Sequence, residues 1–143
     1  MPGSVEWYYP DHVLIAHLSG DIALRTLEAC FFHFDARITA ADGEAPVHVI
    51  LDTLAVGEHP TNLSGIVGAA RRFFLNPRLG YALHITDQRV HRWLGSVAAQ
   101  ALQGRYKALD TLDEALYFLH DIDDTLAQEV QALEARRKKV TFD

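Results

Sequence analysis

Apolar and polar residues along this chain follow two periods. Leu24, Leu27, Phe31, Phe34 and Ile38 recur at spacings of three and four, the repeat of one helix face. That helix is predicted over residues 22–40; its opposite face carries Arg25, Glu28, Asp35 and Thr39, and also Phe32. Asp21, just after Ser19-Gly20, stands where a helix cap would be. Shorter apolar runs lie on both sides. Residues 12–18 read as a strand, preceded by turn chemistry at Tyr9-Pro10-Asp11, so Val5 to Tyr9 is expected to be the first arm of a hairpin. The nearly continuous apolar run Val47-His48-Val49-Ile50-Leu51-Asp52 suits a strand covered on both faces, as in a parallel sheet.

The second half repeats the alternation. Leu63 to Leu75 is predicted helical and is closed by Asn76-Pro77, and Leu79 to Thr86 is a further central strand. Asp87 is expected to cap a helix from Arg89 to about Gln103, with Val90, Leu94, Val97 and Ala101 facing inward and Gly104 ending it. Tyr106 to Leu109 is a short edge strand, and Thr111-Leu112-Asp113-Glu114 has the form of a capping box opening a last helix. Strands alternating with helices imply βαβ units. The expected fold is therefore α/β: a mostly parallel sheet of four to five strands, an N-terminal hairpin and about four helices.

Composition narrows the function classes. The chain has 143 residues, 49% of them apolar, enough for one substantial core and too apolar for a disordered segment. Its single cysteine, Cys30, excludes an intrachain disulfide framework and falls beside the apolar helix stripe, where a buried, inert thiol is expected. The net charge of −6 argues against a general nucleic-acid binder. No apolar run approaches the length of a membrane span and no leader pattern opens the chain, so a cytoplasmic, non-membrane domain is expected. The charge is uneven: residues 1–70 carry −7, residues 71–107 carry +6 and residues 108–143 carry −5. Arg71 and Arg72 belong to the positive block, which could meet an acidic partner or a phosphate, or be a solvated helix face.

Several strings in this order resemble the STAS domain family, the module of anti-sigma factor antagonists and of sulphate-transporter tails. They are VLIAHLSGDI, VHVILDTL, NLSGIVGAARRF and the stretch from LHITDQ to LDEAL, covering about residues 5–120. In that family a strand ending in Leu-Asp leads to Asp-Ser-Ser-Gly at a helix start; here Leu51-Asp52 and Asn62-Leu63-Ser64-Gly65 hold those places. The loop between them is longer and contains Pro60, the motif's acid is Asn62 and its first serine is Leu63. The resemblance implies a signalling domain whose partner is an anti-sigma factor kinase or another STAS protein, and makes Ser64 the candidate phosphorylation site. Asp52, Asn62, Gly65, Arg71 and Arg72 are then the candidate partner-binding residues. A serine in a first helical turn suits that role, because a phosphate would meet unpaired N–H groups and the positive end of the helix dipole. The plainer alternative is that Ser64 merely opens the helix, with Asn62 or Thr61 as cap.

Enzyme patterns are missing. Gly65-Ile66-Val67-Gly68 lacks the Gly-Lys ending of a phosphate loop, and Gly-x-Ser-x-Gly does not occur. No catalytic residue and no cofactor is therefore expected. His17, His48 and His84 fall in predicted strands that could bring them together as a zinc site, but their spacing is not that of a metal pair, so hydrogen-bonded strand histidines are the stronger expectation. A competing function is small-ligand binding, of a nucleotide or lipid, in a crevice at the strand ends near Asp52, His59 and Asp87. Beyond the domain at 1–120, residues 121–143 are expected to form an amphipathic helical tail with Ile122, Leu126, Val130 and Leu133 on one side. Acids precede that stripe and Arg136-Arg137-Lys138-Lys139 follows it, as a helix dipole prefers. The stripe could fold back on its own sheet or pair with a second copy, giving a homodimer. Phe32 and the pair Phe73-Phe74 are expected to add exposed interface surface.

Overall fold

A computed structural model of the chain describes residues 3–126 and 128. Strands β1 (Gly3–Tyr9), β2 (Val13–Gly20), β3 (Val47–Val56), β4 (Leu79–Ile85) and β5 (Tyr106–Leu109) form one sheet in the order β1-β2-β3-β4-β5. β1 runs antiparallel to β2, and every later pair is parallel. The hairpin turns through Asp11 at φ +66°, a left-handed position that a short polar side chain tolerates. Helices α1 (Leu24–Ala40), α2 (Leu63–Phe74) and α3 (Arg89–Ala101) make the crossovers, and α4 (Leu112–Ile122) follows β5. Each crossover steps to the next strand in the same direction, so right-handed connections place α1, α2 and α3 on one face. The other face is left to α4.

Pleating divides the core accordingly. Leu14, Ala16 and Leu18 of β2, Val47 and Val49 of β3 and Ala82 of β4 pack under α1–α3, while Val13, Ile15, Ile50, Leu83 and Ile85 pack under α4. The α1 stripe is buried from Leu27 to Ile38 as its spacing predicts, joined by Cys30, while Leu24 is partly buried. Phe73 is 2% exposed, contrary to the expected interface role: its ring stacks on Phe31 at 5.2 Å and lies 5.5 Å from Phe34. Burying each such ring contributes roughly 2–3 kcal/mol. Phe32 does remain exposed.

Other local expectations change. Asp21 does not cap α1, whose N-cap is Ala23; its carboxylate accepts from the Glu58 N–H at 2.8 Å and ties the loop after β2 to the loop after β3. Asp87 is likewise not the cap: α3 begins at Arg89 as expected, but its N-cap is Gln88. The inner face of α3 is His91, Leu94, Ala98 and Leu102, whereas Val90 is 55% exposed. α3 ends on Gln103, which takes the left-handed conformation, and the Gly104 N–H closes the turn on Ala99 O at 2.8 Å. Gly104 is needed for a different reason: a Cβ there would lie 2.7 Å from Phe74 Cε1. At α4 the Thr111 hydroxyl accepts from the Glu114 N–H, but Glu114 reaches back to the Asp110 N–H rather than to its own cap residue.

α4 stops at Asp123, and a new helical turn starts at Asp124. Asp123 Oδ1 accepts from the Leu126 N–H, and Leu126 is buried with Leu119, Leu109 and Ile85 on the chain's own sheet. This first buried position of the tail stripe is thus satisfied within one chain, while Ile122 is 42% exposed. Val130, Leu133 and the basic run Arg136 to Lys139 lie outside the described residues.

Candidate functional site

The start of α2 is organised by Asn62. Its Oδ1 accepts from the Gly65 N–H at 3.2 Å and from the Ser64 hydroxyl at 2.9 Å. Ser64 is exposed in the first turn. Gly65 faces α1: a Cβ there would lie 2.8 Å from Leu24 Cδ2, so the missing side chain lets the two helices approach. α1 and α2 both follow parallel strands, which sets their N-termini at the same end of the sheet, and neither carries an acid in its first turn. That end presents the positive poles of two helix dipoles.

Of the expected site residues, the structure brings Asn62, Ser64 and Gly65 together. Arg71 and Arg72 are exposed on the last turn of the same helix, about 10 Å of helical rise from Ser64. Asp52 points elsewhere. β3 continues past it to Val56, so Leu51-Asp52 lies within the strand. Asp52 sits on the α4 face, accepting from His17 Nδ1 at 3.1 Å and from the Leu54 N–H at 3.0 Å. The second bond holds a bulge where β3 gains a residue relative to β2.

Pleating also separates His17, His48 and His84. His17 and His48 are on the α4 face, and His84 is on the opposite one. His48 is inserted into the β3–β4 ladder: its Nδ1 accepts from the Tyr81 N–H and its Nε2–H donates to Asp123 Oδ2, both at 2.9 Å. Burial lowers the His48 pKa against the opposing pull of Asp123, and an Nδ1 already occupied as an acceptor agrees with a neutral ring. Burial alone would raise Asp123, but the bonds from His48 and the Leu126 N–H hold it below the usual carboxylate range.

The other buried histidines belong to the α1–α3 face. The Thr53 hydroxyl donates to Ile85 O at 3.0 Å, so it accepts from His84 Nε2–H at 3.0 Å; His84 Nδ1 then accepts from the Tyr106 hydroxyl at 2.7 Å. Both ring nitrogens are used. Burial, reinforced by neighbouring His59, His91 and Arg92, pushes the His84 pKa down to about 3 and fixes the neutral ring. Burial also raises Tyr106 above the ordinary phenol range.

Beside this pair is a cavity of about 50 Å³, lined by apolar residues of α1–α3 together with His59, His84, His91 and Tyr106. The His59 and His91 rings lie 4.2 Å apart. His59 Nδ1–H donates to Pro60 O at 2.6 Å, which leaves Nε2 as its acceptor. His91 Nδ1 is buried and has no hydrogen-bond partner among the described residues. Burial lowers both pKa values, opposed at His59 by the Pro60 carbonyl and at His91 by Asp87.

His91 does carry a sequence signal: 91, 94, 98 and 102 repeat as regularly as 90, 94, 97 and 101 once a histidine is allowed on the apolar face. The crevice expected near Asp52, His59 and Asp87 does not form as one site, since Asp52 is on the far face of the sheet. Among the described strands the order never reverses either, so they offer no switch point to open a crevice. No group of three metal-ligating side chains occurs among the described residues. Burial pushes the Cys30 thiol up to about 12, which leaves it inert as the sequence suggests.

No family model matches the chain, and no curated protein matches it. Among solved structures it is similar to an uncharacterised DUF3478-family protein from Shewanella loihica PV-4 with a SpoIIAA-like fold. The TM-score is 0.55 and the identity 15%, over 82% of this chain and 91% of that one. The fold is therefore SpoIIAA-like, that of the STAS domains and anti-sigma antagonists. Among the described residues no helix is long and apolar enough to cross a membrane.

Proposed function

We propose that this chain is a non-enzymatic, cytoplasmic protein-interaction domain that docks a partner through the start of α2, with Ser64 as a phosphorylation switch. The observation that carries the reading is the exposed Ser64 hydroxyl in the first turn of α2, held by the Asn62 cap. A phosphate there adds about −1.5 to −2 charge to an exposed surface. The two helix N-termini without acids accommodate it, so the switch can act on the partner without unfolding the domain. An anti-sigma serine kinase or another STAS protein is the partner class that the fold suggests.

Mass spectrometry of the protein purified from its own cells is expected to find phosphate on Ser64. Full coverage of the peptide with Ser64 unmodified in growing and stationary cells would remove the switch. Ser64→Asp is expected to raise stability by roughly 0.5 kcal/mol at low salt, and an unchanged or lower value means the site does not favour an anion.

A second reading is favoured by the buried, unpartnered His91 Nδ1 at the cavity. It would donate to or accept from the polar end of a small, mostly apolar ligand. A thermal-shift screen of nucleotides and fatty acids should then show a rise in melting temperature that His91→Phe abolishes. A screen without any stabilising compound counts against this reading.

A further inference from the structure

A second surface, away from the start of α2, lies along the sheet edge at β5. β5 pairs with β4 alone, and no strand stands on its other side among the described residues. Arg105 O and Leu109 O accept from the Ala82 and Thr86 N–H groups, so the odd-numbered positions of this segment face β4. Alternation then turns the backbone N–H and C=O of Tyr106 and Ala108 outward. Exposed strand edges are usually blunted by proline, a bulge or a charge. β5 has neither proline nor a register shift, and Lys107 is its one such charge.

The groove beside this edge has a definite chemistry. Its far wall is α3, with Arg89, Arg92, Trp93 and Ser96 opposite Tyr106 and Ala108. Trp93 is 60% exposed, a flat apolar surface. Arg92 pairs with Asp110 and donates to Thr86 O, whereas Arg89 is exposed with no ion-pair partner among the described residues. Among the described residues no acidic side chain lines this wall. Asp110, just past the edge, is taken up by Arg92, and the acids Asp113, Glu114 and Asp121 stand across β5 on the α4 side, with Lys107. The two sides of the edge thus differ in sign.

We propose that the β5 edge captures an extended acidic segment of a partner protein as an added strand. Main-chain bonds to Tyr106 and Ala108 would supply affinity, and acids at alternate positions facing Arg89 and Trp93 would supply specificity. Period-two side-chain alternation is what matches an acidic row to the α3 wall while keeping acids away from Asp113 and Glu114.

The test uses the full chain and three octapeptides: alternating Glu and Thr, alternating Lys and Thr, and the first composition with its four glutamates in one block. The alternating acidic peptide should bind tightest and slow hydrogen exchange at the Tyr106 and Ala108 amides. Arg89→Glu should weaken it about tenfold. Ala108→Pro, which removes one outward N–H, should also weaken it while circular dichroism reports an unchanged fold. Equal binding of the blocked and alternating acidic peptides, or no binding of either, overturns the proposal, as does protection confined to α2. Mass doubling without peptide, with Tyr106 and Ala108 already protected, overturns it too, because a second copy would then hold the edge.

Discussion

Acidification from pH 7 to pH 4 is expected to lower the melting temperature by about 10 °C or more, with most of the loss below pH 6.5. The cause is burial of neutral histidines. In the unfolded chain His84 titrates near 6.5, whereas in the folded protein its pKa is about 3. The folded-state value is depressed, so below pH 6.5 the unfolded chain binds the extra proton and folding must forgo it. The stability from His84 is complete above pH 6.5 and is lost progressively as pH falls toward 3. At about 1.4 kcal/mol per unit, His84 alone costs on the order of 3 kcal/mol by pH 4. His48, His59 and His91 are lowered as well and act in the same direction. Asp123 is shifted down and keeps its contribution until the pH falls below the ordinary carboxylate range.

His84→Gln separates this account from general acid denaturation. Glutamine can donate to Thr53 and accept from Tyr106 but does not titrate, so the variant should show a shallower fall in melting temperature between pH 6.5 and 4. If its pH profile has the same slope as that of the parent, His84 is not the group responsible.

Gly80→Ala is expected to destabilise the protein by on the order of 3 kcal/mol, although it adds one methyl group. The new Cβ would overlap His48 Nδ1 and lie 2.5 Å from Cε1. The ring cannot step aside. It is 4% exposed and pinned at both nitrogens, by the Tyr81 N–H and by Asp123. Displacing it would leave the Tyr81 N–H unpaired in the sheet and release Asp123, which ends α4 and caps the turn that buries Leu126. Chemical denaturation of Gly80→Ala, His48→Ala and the double variant tests the steric cause. Removing the ring makes room for the methyl, so the double variant should be more stable than the two single losses added together, by about 1–3 kcal/mol. Simple additivity would mean that the conflict at His48 is not the reason.

His48 and His84 look alike in the chain, each one polar residue in an apolar strand. Their roles are set by partners 75 and 22 residues away, Asp123 and Tyr106, and by which side of the pleat each occupies. The candidate switch was more legible. Asn62, Ser64 and Gly65 are near neighbours in sequence, and a cap with its first turn is assembled from such neighbours. Asp52, Arg71 and Arg72 were grouped with them by a family pattern. The structure sends Asp52 to His17 across the sheet and the two arginines to the far end of α2.

The order of the elements, the hairpin, most of the buried stripe of α1 and the α/β class are all readable along the chain. These follow from periodicity and turn chemistry over a few residues, where geometry links each side chain directly to its neighbours. Long-range packing instead sets which face of α3 turns inward, where the acids and histidines find partners, and that β5 is left as an open edge beside arginines and a tryptophan. Those outcomes depend on strand order, pleat parity and contacts between distant segments. A stripe of 91, 94, 98 and 102 and one of 90, 94, 97 and 101 are equally regular along the chain; which one is buried is settled by the sheet on which the helix lands.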